Sequence, residues 1–259
     1  MTSAWPNLQD LLTGAEAAAP VGWVGAPLAA GSVTPGRCDL APAELRKVLR
    51  RIGRYDLDTG NILDSLVADH GDVAIEGLSI EDATTPICDA VSASVARRAL
   101  TLLIGGNNAV TRPGVHGLGL PLERVGLITL DAHFDMRETT DGLGNGNPVR
   151  ALLEDGLPGA NIAQVGLAPF ANSRVMHQDA LAAGNLVISA ATVHDSGIAR
   201  AVERALLHVQ HCDAIYVDCD IDVIDRSQFP GAPGARPGGL SARDFFAATR
   251  RLAAEPRVR

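Results

Sequence analysis

Short runs of apolar residues alternate along this chain with longer stretches in which apolar positions return every three or four residues. Val21–Gly25, Thr101–Ile104, Val125–Leu130, Ile162–Gly166, Leu186–Ile188 and Ala214–Val217 are too short for helices of their own and read as strands, as does Asp72–Glu76. Pro42–Ile52 sets Leu45, Val48, Leu49 and Ile52 on one helical face, Ile87–Ala99 sets Val91, Val95 and Arg98 at turn spacing, and Ile198–Val209 reads as a third helix. The βα alternation predicts an α/β fold around a mostly parallel sheet covered on both faces. Ligands of such sheets gather beyond the carboxyl ends of the strands.

Composition narrows the function. A chain of 259 residues suffices for a single α/β domain spanning 1–259. Hydrophobic residues make up 46% and aromatics only 3%, so the core must be built from Ala, Val, Leu and Ile. The net charge of −8 argues against nucleic acid or an anionic membrane as partner, since both need a basic face. Cys38, Cys88, Cys212 and Cys219 form no CxxC pair. The opening Met1-Thr-Ser-Ala-Trp-Pro6 lacks the basic and apolar regions of a secretory signal, and no apolar stretch is long enough to span a bilayer. The expectation is a soluble, cytoplasmic protein.

Two strings carry the chemistry. Asp131-Ala-His133-Phe-Asp135 follows the run Val125–Leu130, and the same alternate spacing recurs in Asp218-Cys-Asp220-Ile-Asp222 after Ala214–Val217. In an extended strand alternate side chains point the same way, so each string is expected to present its acids and imidazole on one side. Carboxylates shared between two divalent ions hold them about 3.5–4 Å apart, and water between them becomes hydroxide near neutral pH. Mixed oxygen and imidazole donors suit Mn²⁺ before Zn²⁺ or Co²⁺. A calcium loop starting at Asp218 is excluded, because it needs Gly where Val223 stands and Glu where Phe229 stands. The glycines between Gly114 and Gly119 lack the spacing of a dinucleotide fingerprint.

Taken with Gly25-Ala-Pro27, Asp69-His-Gly-Asp72, Gly105-Gly-Asn-Asn108, Asn145-Gly-Asn-Pro-Val-Arg150 and Pro237-Gly-Gly-Leu240, these strings resemble the ureohydrolase superfamily of arginase, agmatinase, guanidino-acid hydrolases and formimidoylglutamase. The resemblance implies an arginase-like three-layer α/β/α fold, two Mn²⁺ ions and hydrolysis of a non-peptide C–N bond in a small amidine or guanidine. Asp131 and Asp220 are then the bridging ligands, His133 and Asp222 serve one ion, and Asp135 serves the other while contacting the bridging hydroxide as the catalytic carboxylate. The family's Gly-Gly-Asp-His string ends here in Asn108, a neutral and weaker donor than imidazole, so one of the two ions is expected to bind less tightly. Family members also assemble as homo-oligomers, and they continue past Arg259 with a further strand and helix, so the chain is expected to be C-terminally incomplete.

Within the superfamily, the loops are most similar to formimidoylglutamase. Asn145-Gly-Asn-Pro148 lacks the histidine that arginases place beside the substrate, and Gly166-Leu-Ala-Pro-Phe-Ala-Asn-Ser173 is similar to a formimidoylglutamase stretch. The implied substrate is N-formimino-L-glutamate, an intermediate of histidine breakdown, with Asn145, Asn147, Arg150 and Asn172 as substrate contacts. Arg137 and Arg174 are further candidates for its carboxylates, because a guanidinium pairs with them bidentately. Two alternatives stand beside this reading: an agmatine or guanidino-acid hydrolase releasing urea, and a catalytically weak or non-enzymatic homologue.

Overall fold

The computed structural model describes residues 5–259. They form two compact units, one ending at Gly117 and the other running from Leu118 to Arg259.

The first unit contains β1 (Leu12–Gly14), β2 (Val21–Ala26), α1 (Ala41–Val48), β3 (Val67–Asp72), α2 (Ile80–Val95), β4 (Leu100–Gly105) and α3 (Thr111–His116). Its strands make a four-stranded parallel sheet in the order β1-β3-β2-β4. Three expectations change here. The strand expected at Asp72–Glu76 ends at Asp72, because the Asp69-His-Gly-Asp72 string itself forms the end of β3. The helix expected from Ile87 begins at Ile80, where Ser79 accepts a hydrogen bond from the Asp82 amide and two acids fill the first turn. It then runs through Pro86, which the sequence pattern treats as a boundary.

The third change is the orientation of α1. Its expected apolar face, Leu45, Val48 and Ile52, is turned to solvent, while Arg46 faces inward. The reason is electrostatic: Arg46 forms a two-bond fork with Asp69 at 2.8 Å each and reaches Asp72 at 2.5 Å, with its guanidinium 5.4 Å from the Trp23 ring centre.

The second unit contains β5 (Val125–Leu130), α4 (Pro148–Asp155), β6 (Ile162–Leu167), α5 (Arg174–Ala183), β7 (Leu186–Ser189), α6 (Ala190–Ser196), α7 (Ile198–His208), β8 (Ala214–Cys219) and α8 (Ala242–Ala253). The parallel sheet order is β7-β6-β5-β8. Every residue of β5 and β6 is buried, so both faces of these strands are covered, as their continuous apolar runs require. The last residues lie beside β8 in parallel, the Ile215 amide bonding to the Arg257 carbonyl at 2.7 Å.

Candidate metal centre

Strand register places the site. Leu130 of β5 lies opposite Cys219 of β8, so Asp131 and Asp220 leave the sheet side by side at its carboxyl end. Neither string stays extended beyond that point. The His133 amide donates to Asp131 Oδ1 at 2.7 Å, and the Asp222 amide donates to Asp220 Oδ1 at 2.9 Å. These short side-chain-to-backbone bonds bend each string into a turn. The expected alternation along a strand is therefore corrected: the turns, and not the two-residue strand period, bring Asp131, His133 and Asp222 together, with Asp135 and Asp220 outside that group of three.

The result is a compact cluster. His133 Nδ1 lies 3.1 Å from Asp222 Oδ2 and 3.4 Å from Asp131 Oδ1. One donor atom from each of Asp131, His133 and Asp222 falls within 4.8 Å of the others. Asp131, Asp135 and Asp222 are buried, and Asp220 is half-buried. Asp135 sits at φ +52°, in the left-handed region that asparagine and aspartate visit more readily than most residues. Its carbonyl holds that turn by accepting from the amides of Val149 and Arg150 at the start of α4. Backbone strain of this kind clusters at functional sites.

Charge is badly balanced here. Burial pushes the Asp131 carboxyl well above the ordinary carboxylate range, and the charges of Asp135, Asp220, Asp222 and Asp218 push it further. Asp220 is raised in the same way by burial, Asp222 and Asp218. For Asp222 the upward pull of burial is outweighed by its hydrogen bond to His133, which leaves it lowered. That same bond outweighs the effect of burial on His133 and raises it. A cluster of carboxylates facing one imidazole is costly without a further positive charge. The donors suit a hard-to-borderline divalent cation, and the Gly234 backbone packs so close to them that no side chain fits there. A Cβ on Gly234 would fall 2.0 Å from Asp222 Oδ2 and 3.0 Å from His133 Cε1.

Three amides that the sequence pattern did not single out, or singled out for another role, hold the 131–136 loop. Asn172 accepts from the Phe134 amide at 2.8 Å and donates to the Ala132 carbonyl at 2.9 Å. Gln164, fully buried in the middle of β6, donates to the Phe134 carbonyl at 2.9 Å and accepts from Asn185 at 3.0 Å. A glutamine inside the apolar run Ile162-Ala-Gln-Val165 was the available signal, since a buried polar side chain needs a partner.

The remaining expected residues are more dispersed. Asn147 is buried, and its amide is spent on its own loop: it accepts from Gly144 and donates to the carbonyls of Glu138 and Gly142. Arg150 pairs with Asp179 of α5 at 2.5 Å. Asn145 is half-buried in the loop before α4. Arg137 is exposed and crosses Gly146, where a Cβ would meet its Cδ at 2.8 Å. Arg174 borders a cleft of about 430 Å³ together with Phe134, Asn172 and His177. Asn108 belongs to the first unit, where it opens a 3-10 turn after β4 and accepts from the Thr111 hydroxyl at 2.9 Å.

This arrangement of acids and imidazole at the ends of parallel strands coincides with a family-level match over residues 19–259, to the arginase family. The chain belongs to the arginase family. Its relatives there are hydrolases acting on C–N bonds of amidino groups. The formimidoylglutamase of Bacillus subtilis (strain 168) is 28% identical over 241 residues, which is 91% of this chain and 76% of that protein. The crystal structure of formimidoylglutamase from the same species superimposes with a TM-score of 0.92 at 26% identity, covering 100% of this chain and 83% of that one. Trypanosoma cruzi formiminoglutamase, determined with two Mn²⁺, gives a TM-score of 0.88 at 25% identity over 98% of this chain and 88% of that one. The arginase-like α/β architecture expected from the sequence is thereby borne out.

Proposed function

We propose that this arginase-family chain hydrolyses the formimino C–N bond of N-formimino-L-glutamate, giving L-glutamate and formamide, as a step of histidine breakdown in the cytoplasm. The observation that carries the reading is the convergence of Asp131, His133 and Asp222 within 4.8 Å, in a chain whose similar proteins include formimidoylglutamases. Asp131, His133, Asp135, Asp220 and Asp222 would hold the two Mn²⁺ ions. When bound, such ions activate water and polarise the amidine.

The chain's own side chains supply the rest. Water oxygen bonds to the planar formimino carbon, and the bond from that carbon to the glutamate nitrogen breaks. Asp135, buried and fixed by α4, takes a proton from the attacking water and passes it to the leaving nitrogen. Asn172 and Gln164 keep the loop from shifting as this proton moves. Asn145 and the exposed Arg137 and Arg174 would face the substrate's polar end, whereas Asn147 and Arg150 serve through the loops they hold.

Product analysis tests the reading. Purified protein with Mn²⁺ is offered N-formimino-L-glutamate, agmatine and 4-guanidinobutyrate in parallel. Formamide and glutamate from the first, without urea from the others, is the expected result. Urea from either guanidine would replace it with the guanidine-hydrolase reading. Tight Mn²⁺ binding with no turnover of any of the three would point to the non-enzymatic homologue.

A further inference from the structure

Two arginines bracket the loop beside the acidic cluster, and the fold uses them differently. Residues 225–240 return on themselves: the Arg226 amide donates to the Arg236 carbonyl at 3.2 Å, the Gly238 amide to Asp225 Oδ2 at 2.6 Å, and the Leu240 amide to the Val223 carbonyl at 2.8 Å. The loop thus begins just past Asp220 and Asp222, and its middle touches the cluster, where the Gly234 backbone packs against Asp222 and His133. Arg226 directs its guanidinium at the carbonyls of Ala232, Pro233 and Ala235, at 3.4 to 3.5 Å, and closes the loop on itself. Arg236 is exposed. It bonds to the carbonyl of its own neighbour Ala235 at 3.4 Å and pairs with no carboxylate among the described residues. Arginines that serve the scaffold here do pair with acids, as Arg46 and Arg150 show.

This unspent cation stands near the reacting centre. Burial and the Arg236 charge both pull the His133 pKa down, against the hydrogen bond to Asp222, so the guanidinium lies within electrostatic reach of the imidazole. Five carboxylates, Asp131, Asp135, Asp218, Asp220 and Asp222, crowd the same place. Two divalent ions would leave no surplus of positive charge there for a substrate that itself carries two carboxylates, so a further cation at the site favours its entry. Resting on the formimidoylglutamase reading above, we propose that Arg236 pairs with the α-carboxylate of N-formimino-L-glutamate and so selects amidines that carry a carboxylate next to the reacting nitrogen. The α-carboxylate is one carbon from that nitrogen, within range of a cation beside His133, and a guanidinium meets it with two parallel bonds. The γ-carboxylate is three carbons away and needs a group farther out. Agmatine has no carboxylate, and 4-guanidinobutyrate has one only at the distal position, so neither can use Arg236 in this way.

Steady-state kinetics of the Mn²⁺-loaded full chain on two amidines test this. One is N-formimino-L-glutamate, and the other is N-formimino-4-aminobutyrate, which keeps the distal carboxylate and lacks the α one. Wild-type protein is expected to favour the first by roughly tenfold or more in kcat/KM, the worth of a charged hydrogen bond. Arg236→Met should lose most of that preference through a raised KM for N-formimino-L-glutamate, with kcat close to wild type, and should retain as much Mn²⁺ through dialysis. Arg236→Lys, which keeps the charge and loses the fork, should recover part of the preference. Equal losses on both amidines, a fall in kcat alone, or loss of Mn²⁺ would make Arg236 a support of the loop and overturn the proposal. Turnover of N-formimino-L-glutamate that Arg236→Met leaves unchanged would overturn the Arg236 assignment alone. A wild type that hydrolyses neither amidine would overturn the formimidoylglutamase reading and this assignment with it.

Discussion

Two groups of carboxylates stand at strand ends in this protein, and the protein treats them in opposite ways. In the first unit, Asp69 and Asp72 at the end of β3 share Arg46, which binds both within 2.8 Å. In the second, Asp131, Asp135, Asp218, Asp220 and Asp222 have His133 as the cation at their centre, and the result is that Asp131 and Asp220 are pushed upward by burial and by one another. Asp69 shows the contrast. Burial pushes it up, but hydrogen bonds from Arg46 and the Gly71 amide outweigh that and hold it below its ordinary value. A group of acids that the fold neutralises is structural. One that the fold leaves short of positive charge is a candidate for holding a cation.

The sharpest way to break this comparison is to remove acids from each group. Asp220→Asn should abolish Mn²⁺-dependent turnover above background while leaving the metal-free protein at least as stable as wild type, because it removes a carboxyl that burial and the neighbouring acids push upward. Turnover assays and thermal melts in chelator check both halves. A strongly destabilised Asp220→Asn protein would mean that the cluster is structural after all.

Metal addition should separate the units next. Wild-type protein should gain about 3 kcal/mol of apparent stability when Mn²⁺ is present at a hundred times its dissociation constant, read as an upward shift in Tm. Asp220→Asn should lose most of that shift.

Arg46→Met should act on the other group alone, costing roughly 2–3 kcal/mol through the lost charged hydrogen bonds, with Mn²⁺ affinity unchanged. The pH dependence has a definite sign. A carboxyl whose folded pKa is lowered contributes stability above its unfolded value, near the ordinary 3.8 of an aspartate, and loses it as pH falls through the folded value. Acid unfolding followed by circular dichroism should therefore shift to higher pH in Arg46→Met.

Much of this was legible in the chain. The strands at Val125–Leu130 and Ile162–Leu167 follow from runs that are apolar on both faces, and the register between Leu130 and Cys219 then brings the acidic strings together. The α1 face was not legible. Periodicity assigned Leu45, Val48 and Ile52 to the core, yet the pairing of Arg46 with two acids 23 and 26 residues away turned the helix over. Periodicity records which residues share a face and carries no information about which face wins when a strong ion pair competes with it.

The sequence by itself determined the α/β class, the family and the acids and imidazole of the candidate site, because these depend on residue identity and on short-range pattern. Only the tertiary structure decided how the donors converge, through the turns at His133 and Asp222, and which amides serve the loop instead of a ligand. Those choices depend on hydrogen bonds between residues dozens of positions apart, whose partners are set by strand register and packing.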